Sequence, residues 1–346
     1  MMNINNLFQI AVAKKASDIH LVVGLKPYLR VDGMLTILEQ EPEVIRSEIE
    51  KQVFSLLNPS QMERLKTNLE LDLSYETSDK KRFRINVHYE KGNLGLVARI
   101  ILSDIPSMEE LNIPKVAYDL LSLQQGLILM TGPTGCGKST ALAAMIEYIN
   151  QNQKRNIITL EDPIEFLFKP KQSIVIQREL GSDMLSFKAG LKHIVRQDPD
   201  IIMVGEMRDL ETIAATITLA ETGHLVLATL HTYSAAQTID RIIDIFPPYQ
   251  QAQIKQQLAS VLSAVFSQRL VPNIKGGRVA AREVLINTPA VSNLIRENKI
   301  TQIPTVIETN GKIGMISMDK ALKNLQKEGL ISKENMDIYS TDAILD

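Results

Sequence analysis

"GLILMTGPTGCGKSTALAAMIEYIN", residues 126–150, decides the fold. A short apolar run, Gly126 to Thr131, enters a glycine-rich loop, and a segment with helical periodicity leaves it. The loop fits the pattern G-x-x-x-x-G-K-[ST] through Gly132, Gly137, Lys138 and Ser139. Glycines let successive backbone N–H groups fold round phosphate oxygens, and the start of a helix adds partial positive charge. A strand before the loop and a helix after it are the context in which this pattern binds nucleotide phosphates. Gly132, Pro133, Thr134, Gly135, Cys136, Gly137, Lys138, Ser139 and Thr140 are then expected to line the phosphates of ATP. Lys138 can reach the β- and γ-phosphates, and the Ser139 hydroxyl can ligate Mg2+. Cys136 occupies a loop position with no required side chain and reads as a small space-filling residue.

Outward from this loop the same texture repeats. "RNIITLED" (155–162), "PDIIMVGE" (199–206) and "HLVLATLHT" (224–232) are short, nearly continuous apolar runs separated by helical segments. Such alternation signals an α/β fold, a parallel sheet covered on both faces. Ligands of these sheets lie beyond the carboxyl ends of the strands. There the runs end in Glu161-Asp162 and in Gly205-Glu206. Two carboxylates are thus expected beside the metal and γ-phosphate, where hydrolysis needs a metal-shell acceptor and a group that positions water. From about Tyr249 onward the chain reads as mostly helical, including "QQAQIKQQLASVLSAVFSQRL" (250–270) and "MDKALKNLQKEGL" (318–330). No internal repeat or low-complexity tract interrupts it.

Residues 1–103 read as a separate, smaller α+β unit. "MMNINNLFQIAVAKK" (1–15) suits an amphipathic helix with Ile4, Leu7, Phe8, Ala11 and Val12 on one stripe. "ASDIHLVVGLKPYLRVDG" (16–33) holds two strand-like runs, and "RFRINVHYEKGNLGLVARII" (82–101) a hairpin turning at Lys91-Gly92-Asn93. Two helical segments lie between them, the second with Ser60 as its expected N-cap. The prolines of "LSDIPSMEELNIP" mark residues 104–114 as a linker, leaving 115–346 for the nucleotide domain and its C-terminal helices.

Bulk composition narrows the function. The net charge of −2, a pI near 6.3 and 5% aromatic residues argue against a nucleic-acid motor, which needs a basic, stacking surface. A single cysteine in 346 residues excludes a disulfide framework and a cysteine-built zinc site. Apolar runs are too short for a membrane span, so a cytoplasmic chain is expected.

"ITLEDPIEF" (158–166), "VRQDPDIIMVGEMRDLETI" (195–213) and "TGHLVLATLHT" (222–232) follow the loop in the order and spacing of the Asp box, Walker B region and His box of one family. Together they resemble the secretion ATPases of type II secretion and type IV pilus systems. "KASDIHLVVGLKPYLRVDG" and "GRVAAREVLINTPAVSNLIREN" (277–298) extend the resemblance over nearly the whole chain. It implies a homohexameric ATPase with a PAS-like N-terminal domain and a RecA-like C-terminal domain. Such a ring lies at the inner face of the cytoplasmic membrane and works on an inner-membrane pilus platform protein. Glu161 is then the water-activating residue and Glu206 the Walker B acid near Mg2+. Arginines of the N-terminal domain complete the site in this family, and Arg82, Arg84 and Arg99 on the hairpin are the candidates. Surface arginines are common, so a merely solvated Arg82 and Arg84 remains the alternative. For Arg196, Arg208 and Arg241 nucleotide contact and structural ion pairing both stay open.

Within the family the chain is most similar to the retraction type. Little chain precedes "SDIH", and the single cysteine cannot supply the four-cysteine module of the extension and secretion types. Residues 290–297 resemble the retraction segment "AIRNLIRE", with Ser292 in place of its arginine. An accessory or assembly role is the alternative that this departure keeps open.

His224 and His231 bracket one apolar run. If that run is one strand, its rise separates them by about 23 Å and their odd spacing points them to opposite faces. His231, at the carboxyl end level with Glu161 and Glu206, is then the γ-phosphate sensor. His224, at the far end, is expected to be structural or to sit at a subunit interface.

Overall fold

The structure is a computed structural model that describes residues 3–31, 33–79, 81–101 and 104–340. Met1, Met2, Asp32, Leu102, Ser103 and residues 341–346, which belong to stretches read above, lie outside it. The chain divides into two compact units, Met1–Ser103 and Asp104–Asp346.

In the first unit, α1 (Ile4–Ala13) buries Ile4, Leu7, Phe8 and Ala11, while Val12 stays half-buried at the edge of the stripe. Phe8 stacks on Phe83 with ring centroids 4.2 Å apart. Both rings are fully buried, so Phe8→Ala should destabilise this unit by roughly 3–5 kcal/mol, read in a urea titration. The strands β1 (Asp18–Leu21), β2 (Tyr28–Val31) and β3 (Met34–Ile37) are followed by α2 (Arg46–Leu56) and α3 (Pro59–Asn68). β4 (Glu70–Glu76), β5 (Arg82–Glu90) and β6 (Asn93–Ile101) complete an antiparallel sheet in the order β3-β2-β1-β6-β5-β4. β5 and β6 are the expected hairpin, and Lys91 and Gly92 both take positive φ at its turn.

Two sequence expectations for this unit change. The N-cap of α3 is Asn58, not Ser60: Asn58 Oδ1 accepts from Gln61 N (2.9 Å) while Gln61 Oε1 accepts from Asn58 N (3.0 Å). That reciprocal pair, with Pro59 opening the helix, outcompetes a serine two residues later. β3 and β4 were not expected: β3 exposes all four of its residues and carries no inside–outside alternation, whereas β4 does alternate, with Leu71 and Leu73 buried, and was missed.

In the second unit the segment expected to be a linker is packed structure: Met108 and Ile113 are buried in its core. α4 (Val116–Leu120) leads to β7 (Gly126–Thr131), α5 (Lys138–Asn152), β8 (Asn156–Glu161), β9 (Ile174–Glu179), α6 (Phe187–Ile194), β10 (Ile201–Val204), α7 (Leu210–Glu221), β11 (Leu225–Leu230), α8 (Ala235–Asp244) and α9 (Pro248–Val261). β12 (Leu262–Pro272), β13 (Arg278–Ile286), α10 (Pro289–Arg296), α11 (Ile303–Thr309), α12 (Met318–Lys327) and α13 (Lys333–Ile338) follow.

The sheet runs β13-β12-β7-β11-β10-β8-β9 and is parallel except for β13. Ile128, Met130, Ile157 and Met203 face Leu142, Met145 and Ile146 of α5. Leu129, Ile158 and Val204 face the opposite layer, where Ile213, Ile217 and Leu258 lie. This is the α/β architecture the alternating runs predict.

The helical reading beyond Tyr249 is corrected at Val261, where α9 stops and Leu262 turns extended. Leu262, Ala264, Val265 and Phe266 are all buried, because β12 lies inside the sheet with both faces covered. An unbroken apolar run has no period to separate such a strand from a buried helix. The C-terminal region is therefore helical except for β12 and β13, which lie between α9 and α10. Among the described residues no helix is long and apolar enough to cross a membrane.

Candidate nucleotide site

Parallel registry places four strand ends along one edge. Leu160 lies opposite Val204, Val204 opposite Ala228, and Leu230 opposite Thr131. The residues just beyond them are the phosphate loop, Glu161, Gly205-Glu206 and His231.

The loop itself uses backbone that only glycine adopts readily, with φ of +139° at Gly132, +75° at Gly135 and +86° at Gly137. A Cβ at Gly132 would collide with the Gln268 carbonyl oxygen and with Cys136 Sγ, whereas one at Gly135 would meet open space. Gly137 caps α5 without any side-chain hydrogen bond, so the helix presents its first N–H groups to whatever the loop encloses. Pro133, Thr134 and Thr140 complete the loop, with Thr134 exposed at its rim. Cys136 is buried, and burial pushes its thiol pKa up, which suits the space-filling role.

Lys138 is the hub. Its ammonium donates to the Gly132 carbonyl (2.8 Å) and the Pro133 carbonyl (3.1 Å), and lies 3.3 Å from His231 Nδ1. His231 Nε2 is 2.9 Å from Glu206 Oε1, and its Nδ1 is 3.5 Å from Thr134 Oγ1. A neutral imidazole satisfies Lys138 and Glu206 together only with its proton on Nε2, donating to the carboxylate. Arg208 closes the chain, 2.8 Å from Glu206 Oε2. Burial works against the Glu206 charge, but the Arg208 hydrogen bond and the electrostatic attraction of His231, Arg208 and Lys138 outweigh it and hold its pKa low. Burial also lowers the pKa of Lys138, partly offset by Cys136 and Glu206.

Glu161 is held differently. It is buried, and desolvation raises its pKa against the hydrogen bonds from Thr159 Oγ1 (2.6 Å) and Gln177 Nε2 (3.1 Å). Gln177 is fixed in turn, donating to the Phe166 carbonyl (2.8 Å) and accepting from Phe168 N (3.0 Å). Gly205 brings the two glutamates' strands close: its N–H donates to the Leu160 carbonyl (2.8 Å), and its carbonyl accepts from Thr229 Oγ1. A Cβ at Gly205 would stand 3.1 Å from the Leu160 carbonyl oxygen and 3.4 Å from Glu161 Cα. Gly205→Ala should therefore push Glu206 away from Glu161 and slow turnover on the order of tenfold with little change in melting temperature. Steady-state ATP hydrolysis by the folded variant checks this.

The donor set suits a magnesium nucleotide. The Ser139 hydroxyl and the Glu206 carboxylate are hard oxygen donors, and the uncapped start of α5 leaves backbone N–H groups for an anion.

The two histidines flank the six-residue β11, one just before its start and one just after its end. His224 Nδ1 lies 2.9 Å from the Leu219 carbonyl and 3.2 Å from Thr222 Oγ1, fastening the end of α7 to the start of β11. Arg208, open from sequence, pairs with Glu206. Arg196 and Arg241 are exposed and enter no contact of this cluster among the described residues. Gln177 and Thr159 were missed. β9 was not recognised: "IVIQRE" runs from three apolar to three polar residues without alternating, so the sequence carried no signal for Gln177.

The hairpin arginines belong to the first unit. Arg82 and Arg84 share the outer face of β5, as their spacing predicts, and Arg84 stands opposite Arg99 on β6. Arg99 Nε donates to Asp18 Oδ1 (2.8 Å), and Arg84 Nε lies 3.9 Å from Asp72 Oδ1. Burial opposes the Asp18 charge, yet hydrogen bonds from Ser17 and Arg99 keep its pKa lowered.

Comparison with known proteins adds the following. A family model described as "Type II/IV secretion system protein" matches residues 1–336. The sequence is 45% identical to the "Type IV pilus retractation ATPase PilT" of Pseudomonas aeruginosa over 96% of this chain and 97% of that one. It is 47% identical to a "Twitching motility protein" of Neisseria gonorrhoeae over 89% of this chain and 82% of that one. Among solved structures it is similar to the pilus retraction motor PilT with bound ADP, with a TM-score of 0.94, 43% identity, and coverage of 100% of this chain and 99% of that one.

Proposed function

Because the chain belongs to the type II/IV secretion system protein family, we propose that this ATPase powers retraction of a type IV pilus. It works as a homohexamer, peripheral to the inner face of the cytoplasmic membrane, on an inner-membrane pilus platform protein. The observation that carries this reading is the linked chain Lys138–His231–Glu206–Arg208 beside a buried Glu161, at the carboxyl ends of parallel strands. Similarity over nearly the full length of a retraction ATPase supports the retraction role over an assembly role.

Ser139 and Glu206 would hold Mg2+, which supplies neutralisation of charge on the β- and γ-phosphates. Lys138 turns its donors from the loop carbonyls to those phosphates, which frees His231 Nδ1 to register whether a γ-phosphate is present. Glu161, aimed by Thr159 and Gln177, takes the proton of the attacking water, and its raised pKa strengthens it as a base. Arg82, Arg84 and Arg99 reach the phosphates when the ring closes, coupling turnover to movement. His224 acts through the fold or a subunit contact, not through the nucleotide.

Mass photometry with Mg-ATP, alongside an ATPase assay with and without Mg2+, tests this. A six-membered ring and Mg-dependent hydrolysis are expected; a persistent monomer or Mg-independent turnover would contradict the reading.

One observation favours a second reading, that of an accessory retraction ATPase. Ser292 replaces the arginine of the retraction segment. It is buried, with its hydroxyl 2.9 Å from the Ala259 carbonyl and 3.0 Å from Asn287 Oδ1. It fastens α10 to α9 and presents no charge. Twitching restored by this chain alone in a host lacking its own retraction ATPases would rule the accessory reading out.

A further inference from the structure

Beneath the phosphate loop lies a buried polar chain that the hydrolytic site does not use. Gln268 on β12 and Arg282 on β13 are direct cross-strand partners, both almost fully buried. Gln268 Nε2 donates to the Cys136 carbonyl (2.6 Å), inside the phosphate loop. Arg282 Nε donates to Gln268 Oε1 (2.6 Å), and its Nη1 donates to the carbonyls of Leu111 and Asn112 (2.9 Å each).

Each link is constrained. With its oxygen engaged by Arg282, the Gln268 amide can turn only its NH2 group to the loop. The Gly132 backbone packs against the Gln268 carbonyl, and the Cβ position of Gly137 is 3.0 Å from Gln268 Nε2. Gln268 therefore touches both glycines that bound the loop. At the other end, the turn of Leu111 and Asn112 is held by Asn112 N donating to Glu109 O (2.9 Å) and Ile113 N donating to Met108 O (2.9 Å). Asn112 takes φ +49°, which aims consecutive carbonyls at one guanidinium.

Arg282 has no carboxylate partner among the described ion pairs, and burial pulls its pKa down to about 10. It still carries its charge at neutral pH, and an uncompensated buried cation is costly. Phosphate in the adjoining loop is an anion that would compensate it.

We propose that Arg282 is a positioning residue for nucleotide: acting through Gln268, it holds the Cys136 segment in its phosphate-cradling shape and ties that shape to the turn at Leu111-Asn112. Displacement of this turn is thereby transmitted to nucleotide affinity. The inference rests on the loop's being the nucleotide site.

Mg-ADP affinity by isothermal titration calorimetry tests it, with kcat and KM for ATP measured in parallel. Arg282→Met and Gln268→Met are each expected to weaken binding about tenfold, roughly the value of one buried hydrogen bond, with kcat changed far less. The double variant should be no weaker than Gln268→Met alone, because one residue acts through the other. Gln268→Glu keeps a partner for Arg282 and so keeps the fold, but it cannot donate to the Cys136 carbonyl; it too should bind about tenfold more weakly. Val284→Ala, a buried change on the same strand, controls for stability: it should lower the melting temperature and leave affinity unchanged. Wild-type affinity in the Arg282 and Gln268 variants, or losses that multiply in the double variant, would overturn the proposal. A wild-type chain that binds no Mg-ADP would instead overturn the nucleotide site itself.

Discussion

Glu161→Gln is expected to bind ATP close to normally and to hydrolyse it on the order of 10³-fold more slowly. The substitution keeps shape and hydrogen-bonding capacity and removes only the ability to take a proton. Thr159 and Gln177 already hold this side chain, so the amide will occupy the same place. Its burial is what makes the carboxylate a stronger base than an exposed glutamate. A pH dependence follows. A base must be ionised, so turnover falls as pH drops through the pKa of Glu161. The Thr159 hydroxyl stabilises the ionised form; Thr159→Val removes it, raises that pKa further, and should move the acid limb of the rate profile to higher pH. A limb that stays in place, or a Glu161→Gln variant with wild-type turnover, would remove Glu161 from the reaction.

Lys138→Met should weaken ATP binding on the order of 10²-fold and abolish measurable turnover. Charge-assisted hydrogen bonds to phosphate contribute about 1.5–3 kcal/mol, and tenfold in affinity is about 1.4 kcal/mol. Stability should move little. Burial disfavours this ammonium, as its lowered pKa records, and the loop carbonyls it serves can take water instead. The variant would then separate two effects that coincide in most core substitutions: affinity lost, fold kept. Equilibrium binding of a fluorescent ATP analogue beside a thermal melt reads both.

Much of this site was legible because parallel sheets put their chemistry at strand ends. Gly132, Glu161, Glu206 and His231 each end an apolar run, and an apolar run can be seen without knowing its neighbours. Gln177 could not be found that way. It sits inside edge strand β9, where Ile174 and Ile176 are exposed and the hydrophobic signal is weak. Its partner Glu161 is distant in sequence, and only the pairing of β8 with β9 brings them together. Arg282 was hidden for the opposite reason. β12 is so uniformly buried that it reads as helix, and the register that joins Gln268 to Arg282 exists only once it is a strand. The same ambiguity does not touch α1, where Ile4, Leu7, Phe8 and Ala11 carry a clear helical period. Arg208 shows a limit of spacing alone: two residues from Glu206, it could have met nucleotide or carboxylate, and tertiary packing chose the carboxylate.

The central claim, a motor whose hydrolysis retracts a pilus, is tested most directly in the native host. Delete the gene, restore either the wild-type or the Glu161→Gln allele, and score surface pili and twitching together. The account predicts that deletion and the Glu161→Gln allele both give hyperpiliated, non-motile cells, with the wild-type allele restoring both properties. Bald cells after deletion would contradict it and assign the chain to pilus assembly.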